Sequence, residues 1–170
     1  VGPDGKEVKI WVDPAFRPHA TENVTQEGEI VTVPERLSEE FGELDIEVGD
    51  YVCTHHFLTD RVQSVDGNIY RLLYEQIYAK KKEDSIEMIG DWNFLEIIEQ
   101  EDTRGIIPEH LRVTRSQRTG TALFLNDKMK EQVKPGDTTI FAKGMDYSIF
   151  VEGTEYLRVH NDDIVGTITD

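Results

Sequence analysis

Three glycines punctuate each half of this chain at nearly matching intervals, and that ordered repeat constrains the fold more than any single motif. Gly28 to Gly49 is 21 residues and Gly49 to Gly67 is 18; Gly120 to Gly136 is 16 and Gly136 to Gly153 is 17. The flanking residues repeat as well. "QEGEIVTV" (26–33) parallels "RTGTALFL" (118–125), and "IEVGDYVCTHHF" (46–57) parallels "VKPGDTTIFAKG" (133–144). "VDGNIYRLL" (65–73) parallels "VEGTEYLRV" (151–159), and "YEQIYA" (74–79) parallels "NDDIVG" (161–166). The one large difference in spacing falls at "PERLSEEFGEL" (34–44), which reads as a longer loop in the first copy. Four matches in one order, at nearly equal spacing, divide the chain near "KKKEDS" (80–85) into residues 1–86 and 87–170. Units of this size bury little core alone and gain from sharing one by oligomerising.

Between the glycines run short stretches rich in Val, Ile, Tyr, Phe and Thr: "EIVTV" (29–33), "DYVCTHHF" (50–57), "NIYRLL" (68–73), "NFLEII" (93–98), "TALFL" (121–125), "TTIFA" (138–142), "YSIFV" (147–151) and "EYLRV" (155–159). Each reads as a strand, because β-branched and aromatic residues fit a pleated surface and Gly, Asp, Asn and Pro end the runs. Regular short strands with such turns predict an all-β barrel or sandwich rather than a parallel α/β sheet. "ERLSEEF" (35–41) and "YEQIYAKKKED" (74–84) are each long enough for a turn or two of helix.

Charge narrows the partners. The chain has 34 acidic and 18 basic residues, a net charge of -16, so it repels a phosphate backbone and nucleic acid is excluded as a partner. No apolar run approaches the roughly 20 residues that span a bilayer, and no signal peptide is visible. One cysteine, Cys53, rules out an intrachain disulfide and suits a reducing, cytoplasmic compartment.

Catalytic and metal-binding patterns are thin. "CTHH" (53–56) gathers a thiol and two imidazoles, but on a strand Cys53 and His55 share one face while His56 takes the other. His19, His110 and His160 are scattered, so the ligand count for zinc falls short. A cysteine nucleophile needs an activating base and an oxyanion hole, and the sequence signals neither. The acids of "NDD" (161–163) and "SEEFGE" (38–43) read as solvated turn residues, and no glycine-rich phosphate loop occurs. The expectation is a non-enzyme with no cofactor and no metal.

The most unusual stretch is "TRGIIPEHL" (103–111), a loop holding two adjacent isoleucines between a glycine and a proline. Loop side chains usually face water, so Ile106 and Ile107 either pack on the protein's own sheets or await a partner. Val8, Ile10 and Val12 form a second candidate contact, although their period-two alternation first reads as a half-buried strand.

The second copy resembles a GroES-type co-chaperonin domain along most of its length. "IGDWNFLEII" (89–98) is similar to the family's opening strand, "RGIIPEH" (104–110) to the tip of its mobile loop, and "RTGTALFL" to its Gly-x-Val-x-x-Val strand. "VKPGDTTIFAKG" resembles the family's "VKVGDxVxF" segment, and "VEGTEYLRVHNDDIVGTI" its closing strands. The first copy resembles the same pattern from Val8 onward, but its opening strand is missing from the sequence and "KEVKIWVDPAFRPHATENVT" (6–25) lacks a clean Gly-Ile-Ile tip. Tandem domains of this kind resemble a known variation within the family, including chloroplast and phage-type members.

The resemblance implies two tandem GroES-like β-barrels, a homo-oligomeric ring and a GroEL-type chaperonin partner capped during its ATP-driven folding cycle. It places chaperonin contact at Gly105, Ile106 and Ile107, and more weakly at Val8, Ile10 and Val12. The same fold serves as the catalytic domain of medium-chain alcohol dehydrogenases, but that use needs a Rossmann domain and zinc ligands. The other reading is a structural or interaction protein, such as a virion component, that uses the barrel without a chaperonin.

Overall fold

The computed structural model describes residues 26–34, 44–55, 64–66, 69–83, 85–101 and 113–168. In chain order the strands there are β1 (Glu27–Glu29), β2 (Tyr51–Thr54), β3 (Ser64–Asp66), β4 (Ile69–Tyr70), β5 (Ile77–Lys82), β6 (Ser85–Met88), β7 (Trp92–Glu101), β8 (Val113–Phe124), β9 (Thr138–Phe141), β10 (Tyr147–Val151), β11 (Thr154–His160) and β12 (Ile164–Ile168). One short helix, α1 (Asp127–Lys130), follows β8. The fold is all-β. β1-β2-β5-β6 form one sheet, β10-β11-β7-β8-β9-β12 a second, and β3-β4 a small hairpin. The ladders are antiparallel throughout.

Matching glycine-aspartate turns lead into β2 of one sheet and β9 of the other. Gly49 (φ 94°) and Gly136 (φ 96°) occupy left-handed backbone that side chains disfavour. The following aspartate closes each turn: Glu47 N donates to Asp50 Oδ2 at 2.8 Å, and Lys134 N to Asp137 Oδ2 at 2.9 Å. Each glycine N–H then donates to the neighbouring strand, Gly49 to Ile30 O (2.7 Å) and Gly136 to Ala122 O (2.8 Å). The return bonds match too, Ile30 N to Asp50 O and Ala122 N to Asp137 O, both 2.8 Å.

The closing strands are equally alike. A single turn of 3-10 helix leads into each, Tyr74–Gln76 before β5 and Asn161–Asp163 before β12. His55 N donates to Gln76 O (3.0 Å) and Ala142 N to Asp163 O (2.8 Å). The β2–β5 ladder pairs Thr54 with Ile77 and Cys53 with Ala79, so Tyr78 bulges; the β9–β12 ladder pairs Phe141 with Ile164 and Ile140 with Gly166, so Val165 bulges.

Helix at 74–84 is thereby corrected to one 3-10 turn followed by β5. Ile77, Tyr78 and Ala79 are all buried, and the lysines that follow are answered across strands, Lys80 and Lys82 by Glu87 and Lys81 by Glu152. Cross-strand contacts outweigh the modest helix propensity of a short segment. The strand expected at 29–33 stops at Glu29, and that at 68–73 is reduced to Ile69–Tyr70. The helix expected at 35–41 lies outside the described residues.

Three apolar clusters fill the interior. Leu95, Phe141, Leu157 and Val159 pack with Met129 and Val133 on the larger sheet. Ile46, Val52, Ile77 and Ile89 do so on the smaller. The third joins the two: Cys53, Tyr78 and Ala79 meet Phe94, Ile149 and Val151. Each fully buried side chain of this size contributes about 1.5–3 kcal/mol, so the shared cluster binds the sheets into one body.

Candidate functional site

β7 and β8 are the longest strands described, and they outrun their neighbours. β11 covers β7 only from Trp92 to Leu95, and β9 covers β8 only from Thr119 to Thr121. Beyond these, among the described residues, β7 and β8 continue as a two-stranded ribbon paired only to each other: Glu99 with Arg115, Gln100 with Thr114, Glu101 with Val113. A bare ribbon is marginal by itself, and this one is held at its base. Arg115 Nη1 donates to Ser148 Oγ at 2.9 Å and to Glu155 Oε1 at 2.8 Å, pinning the ribbon to β10 and β11. The register shifts between Ile97 and Glu99, and Ser116 closes the resulting bulge by accepting from Thr119 N at 3.1 Å. Gly120 sits where the ribbon enters the sheet; a Cβ there would lie 2.9 Å from Leu95 Cβ and 3.0 Å from Glu96 O.

Residues 102–112 connect the two ends of that ribbon. Gly105, Ile106 and Ile107 fall in this connection, outside the described residues, as do Val8, Ile10 and Val12. The described strands fix the mount: Glu101 and Val113 are a register pair, so the connection begins and ends at one place, at the far end of the ribbon.

At the other end of β7 lies a joint between the sheets that no sequence pattern announces. Arg158 on β11 is 8% exposed, and its Cζ lies 4.6 Å from the Tyr78 ring centroid, 4.3 Å from Trp92 and 4.7 Å from Tyr147. Among the described residues no carboxylate stands within ion-pair distance, so the charge rests on three aromatic faces and the Tyr78 hydroxyl. Burial lowers the Arg158 pKa, and burial raises that of Tyr78 to about 12 against the opposing pull of Arg158. Phe150 N donates to Gln26 Oε1 (3.0 Å) and Trp92 Nε1 to Glu75 O (3.3 Å). Lys81 pairs with Glu152, which holds a left-handed φ of 50° in the two-residue turn between β10 and β11.

Of the "CTHH" cluster, Cys53, Thr54 and His55 fall among the described residues. Cys53 is fully buried, and desolvation pushes its thiol up to about 12, so it stays protonated near neutral pH and offers neither a nucleophile nor a thiolate ligand. His55 lies 6.3 Å from the Tyr78 ring, and His56 is outside the described residues. Among the described residues no three His, Cys, Asp or Glu side chains gather as a metal site, and no helix is long and apolar enough to cross a membrane.

The fold and the ribbon define the class: an all-β, antiparallel, two-sheet protein that carries a long connection on a projecting strand pair. Within it, residues 115–168 match the family model described as Cpn10, the chaperonin 10 kDa subunit. The match runs from Arg115, the ribbon's anchor, through Ile168, the end of β12. That part of the chain is thus similar to co-chaperonins, whose role is to assist a chaperonin rather than to catalyse a reaction. No curated protein sequence matches the chain.

Proposed function

We propose that this chain is a co-chaperonin with two GroES-like domains in tandem, which assembles as a homo-oligomeric ring and caps a GroEL-type chaperonin in the cytoplasm. The observation that carries the reading is the family match from Arg115 to Ile168, which takes in β9–β12 and all but the first two residues of β8; the Ile106–Ile107 connection precedes the matched residues. The paired turns at Gly49 and Gly136, and the paired bulges at Tyr78 and Val165, support the tandem arrangement. The boundary between residues 86 and 87 falls inside β6, which pairs with β5 and leads directly into β7.

In this reading Ile106 and Ile107 enter an apolar groove of the chaperonin, each contributing roughly 1.5–3 kcal/mol before the cost of ordering the loop. Gly105 permits the turn, and Pro108 narrows the unbound ensemble. Several loops on one ring raise the effective concentration, so individually weak contacts hold a tight and reversible cap. Val8, Ile10 and Val12 are a second, weaker contact. The test is co-sedimentation with a cognate chaperonin, with and without ATP. A nucleotide-dependent complex is expected, and Ile106→Ser with Ile107→Ser abolishes it while the circular dichroism spectrum stays unchanged. Absence of any such complex refutes the function, and unfolding of the double variant makes the two isoleucines core.

A further inference from the structure

The ribbon joins its sheet through a broken ladder. Ile97 pairs with Gly120 and Glu99 with Arg115, so a single β7 residue, Ile98, stands opposite four of β8, Ser116 to Thr119. Those four close on themselves: Arg118 N and Thr119 N both donate to Ser116 Oγ, at 3.4 and 3.1 Å. Bonds between strands stiffen a ribbon, and an insertion of this size interrupts them. Beside it a recess of about 410 Å³, lined by Arg115, Gln117, Lys143, Gly144 and Asp146, leaves the foot of the ribbon unpacked on that side. The junction therefore has the two properties of a hinge, a break in the ladder and room to move into.

Arg115 is the β8 residue that resumes pairing on the ribbon side of that break, and its guanidinium reaches across to two other strands. Nη1 donates to Glu155 Oε1 at 2.8 Å, and Nη1 and Nη2 both donate to Ser148 Oγ, at 2.9 and 3.1 Å. Ser148 in turn donates to the same Glu155 oxygen, so the three side chains form one closed network. We propose that Arg115 is a positioning residue for docking: its clamp on Ser148 and Glu155 holds the hinge in one setting, so that the ribbon presents its connection to the chaperonin in a fixed direction. The inference rests on the capping reading above. Order already present in the free protein is not lost on binding, so the clamp raises affinity without touching the partner. The Arg115 and Glu155 side chains are 42% and 33% exposed, which keeps the clamp weak enough to yield. Added salt should loosen the ribbon before it disturbs the sheets.

Hydrogen–deuterium exchange of the full chain reads the hinge, and ATP-dependent binding to a cognate chaperonin reads docking. Arg115→Met should speed exchange about fivefold or more over residues 99–101 and 113–115, leave β9 and β12 protected as before, and weaken binding about three- to tenfold. Arg115→Glu and Glu155→Arg should each do the same, and the two together should restore both readings to within about twofold of the wild type. Lys134→Met, in the turn before β9, is the control and should change neither. Unchanged exchange in Arg115→Met overturns the inference, because the clamp then does not hold the ribbon. Faster exchange with wild-type binding overturns it as well. If the reversed pair recovers its exchange but not its binding, Arg115 is a direct contact rather than a positioning residue. If the wild type itself forms no complex, the capping function falls and the docking role with it, while the exchange result still decides whether the clamp exists.

Discussion

Arg158 donates a 2.5 Å hydrogen bond from Nη1 to the hydroxyl of Tyr78, 80 residues away on the other sheet. The pair ties β11 to β5, and the Trp92 ring closes over the same guanidinium. Tyr78→Phe removes the bond and keeps the ring. Hydrogen bonds to charged groups contribute about 1.5–3 kcal/mol, so a loss of that size is expected in urea unfolding. Arg158→Lys should also destabilise, because an ammonium cannot lie flat among three rings.

Gly120→Ala tests the close approach of β8 to β7. The added carbon meets Leu95 Cβ and the Glu96 carbonyl, both held by the sheet core, so neither yields easily. A cost of about 1–3 kcal/mol is expected, measured as a lowered denaturation midpoint. The same change at Gly28, where an added carbon would meet nothing within 4 Å, should cost less.

Alkaline pH should weaken the joint. Burial raises Cys53 from 9.0 and Tyr78 from 10.0, both to about 12. Both groups are neutral in either state below pH 9, so their contribution to stability is fully present there. As pH rises from about 9 towards 12, the unfolded chain ionises first and that contribution drains away. Thermal midpoints at pH 8 and above pH 10 should show the decline, and Cys53→Ala should make it shallower.

Acid acts through a different pair. Lys128 hydrogen bonds Asp91 at 2.7 Å and holds its carboxyl below the usual range. That group stabilises the fold above its ordinary value of 3.8 and ceases to as pH falls through the depressed value. The pair is exposed, so the effect on stability is small. Lys128→Met should move the Asp91 titration upward, as read by NMR of the side-chain carboxyl.

The strands that sequence made plain are those whose apolar pattern and turn chemistry agree. "YSIFV" coincides with β10 at both ends, because Gly144 before it and the Glu152–Gly153 turn after it are local signals. β5 was masked by Lys80–Lys82, three like charges that read as a boundary or a helix. They belong to a strand because Glu87 and Glu152 answer them, one from the next strand and one from the other sheet. The ribbon was half legible: "NFLEII" and "TALFL" mark its core ends, while its outer pairs carry polar residues with no strand periodicity. The Arg158 joint was illegible, since no local pattern says that an arginine between Leu157 and Val159 will be covered by rings from distant parts of the chain.

Cys53 is the chain's one thiol, and it is both sealed from solvent and chemically quiet. The wild-type surface is therefore blank to maleimide and similar probes. A single cysteine introduced at an exposed position such as Glu131 or Met145 becomes the sole label site, with no background mutation required. Fluorescence energy transfer between such labels on mixed chains would then report spacing between copies, read from a protein otherwise left in its native sequence.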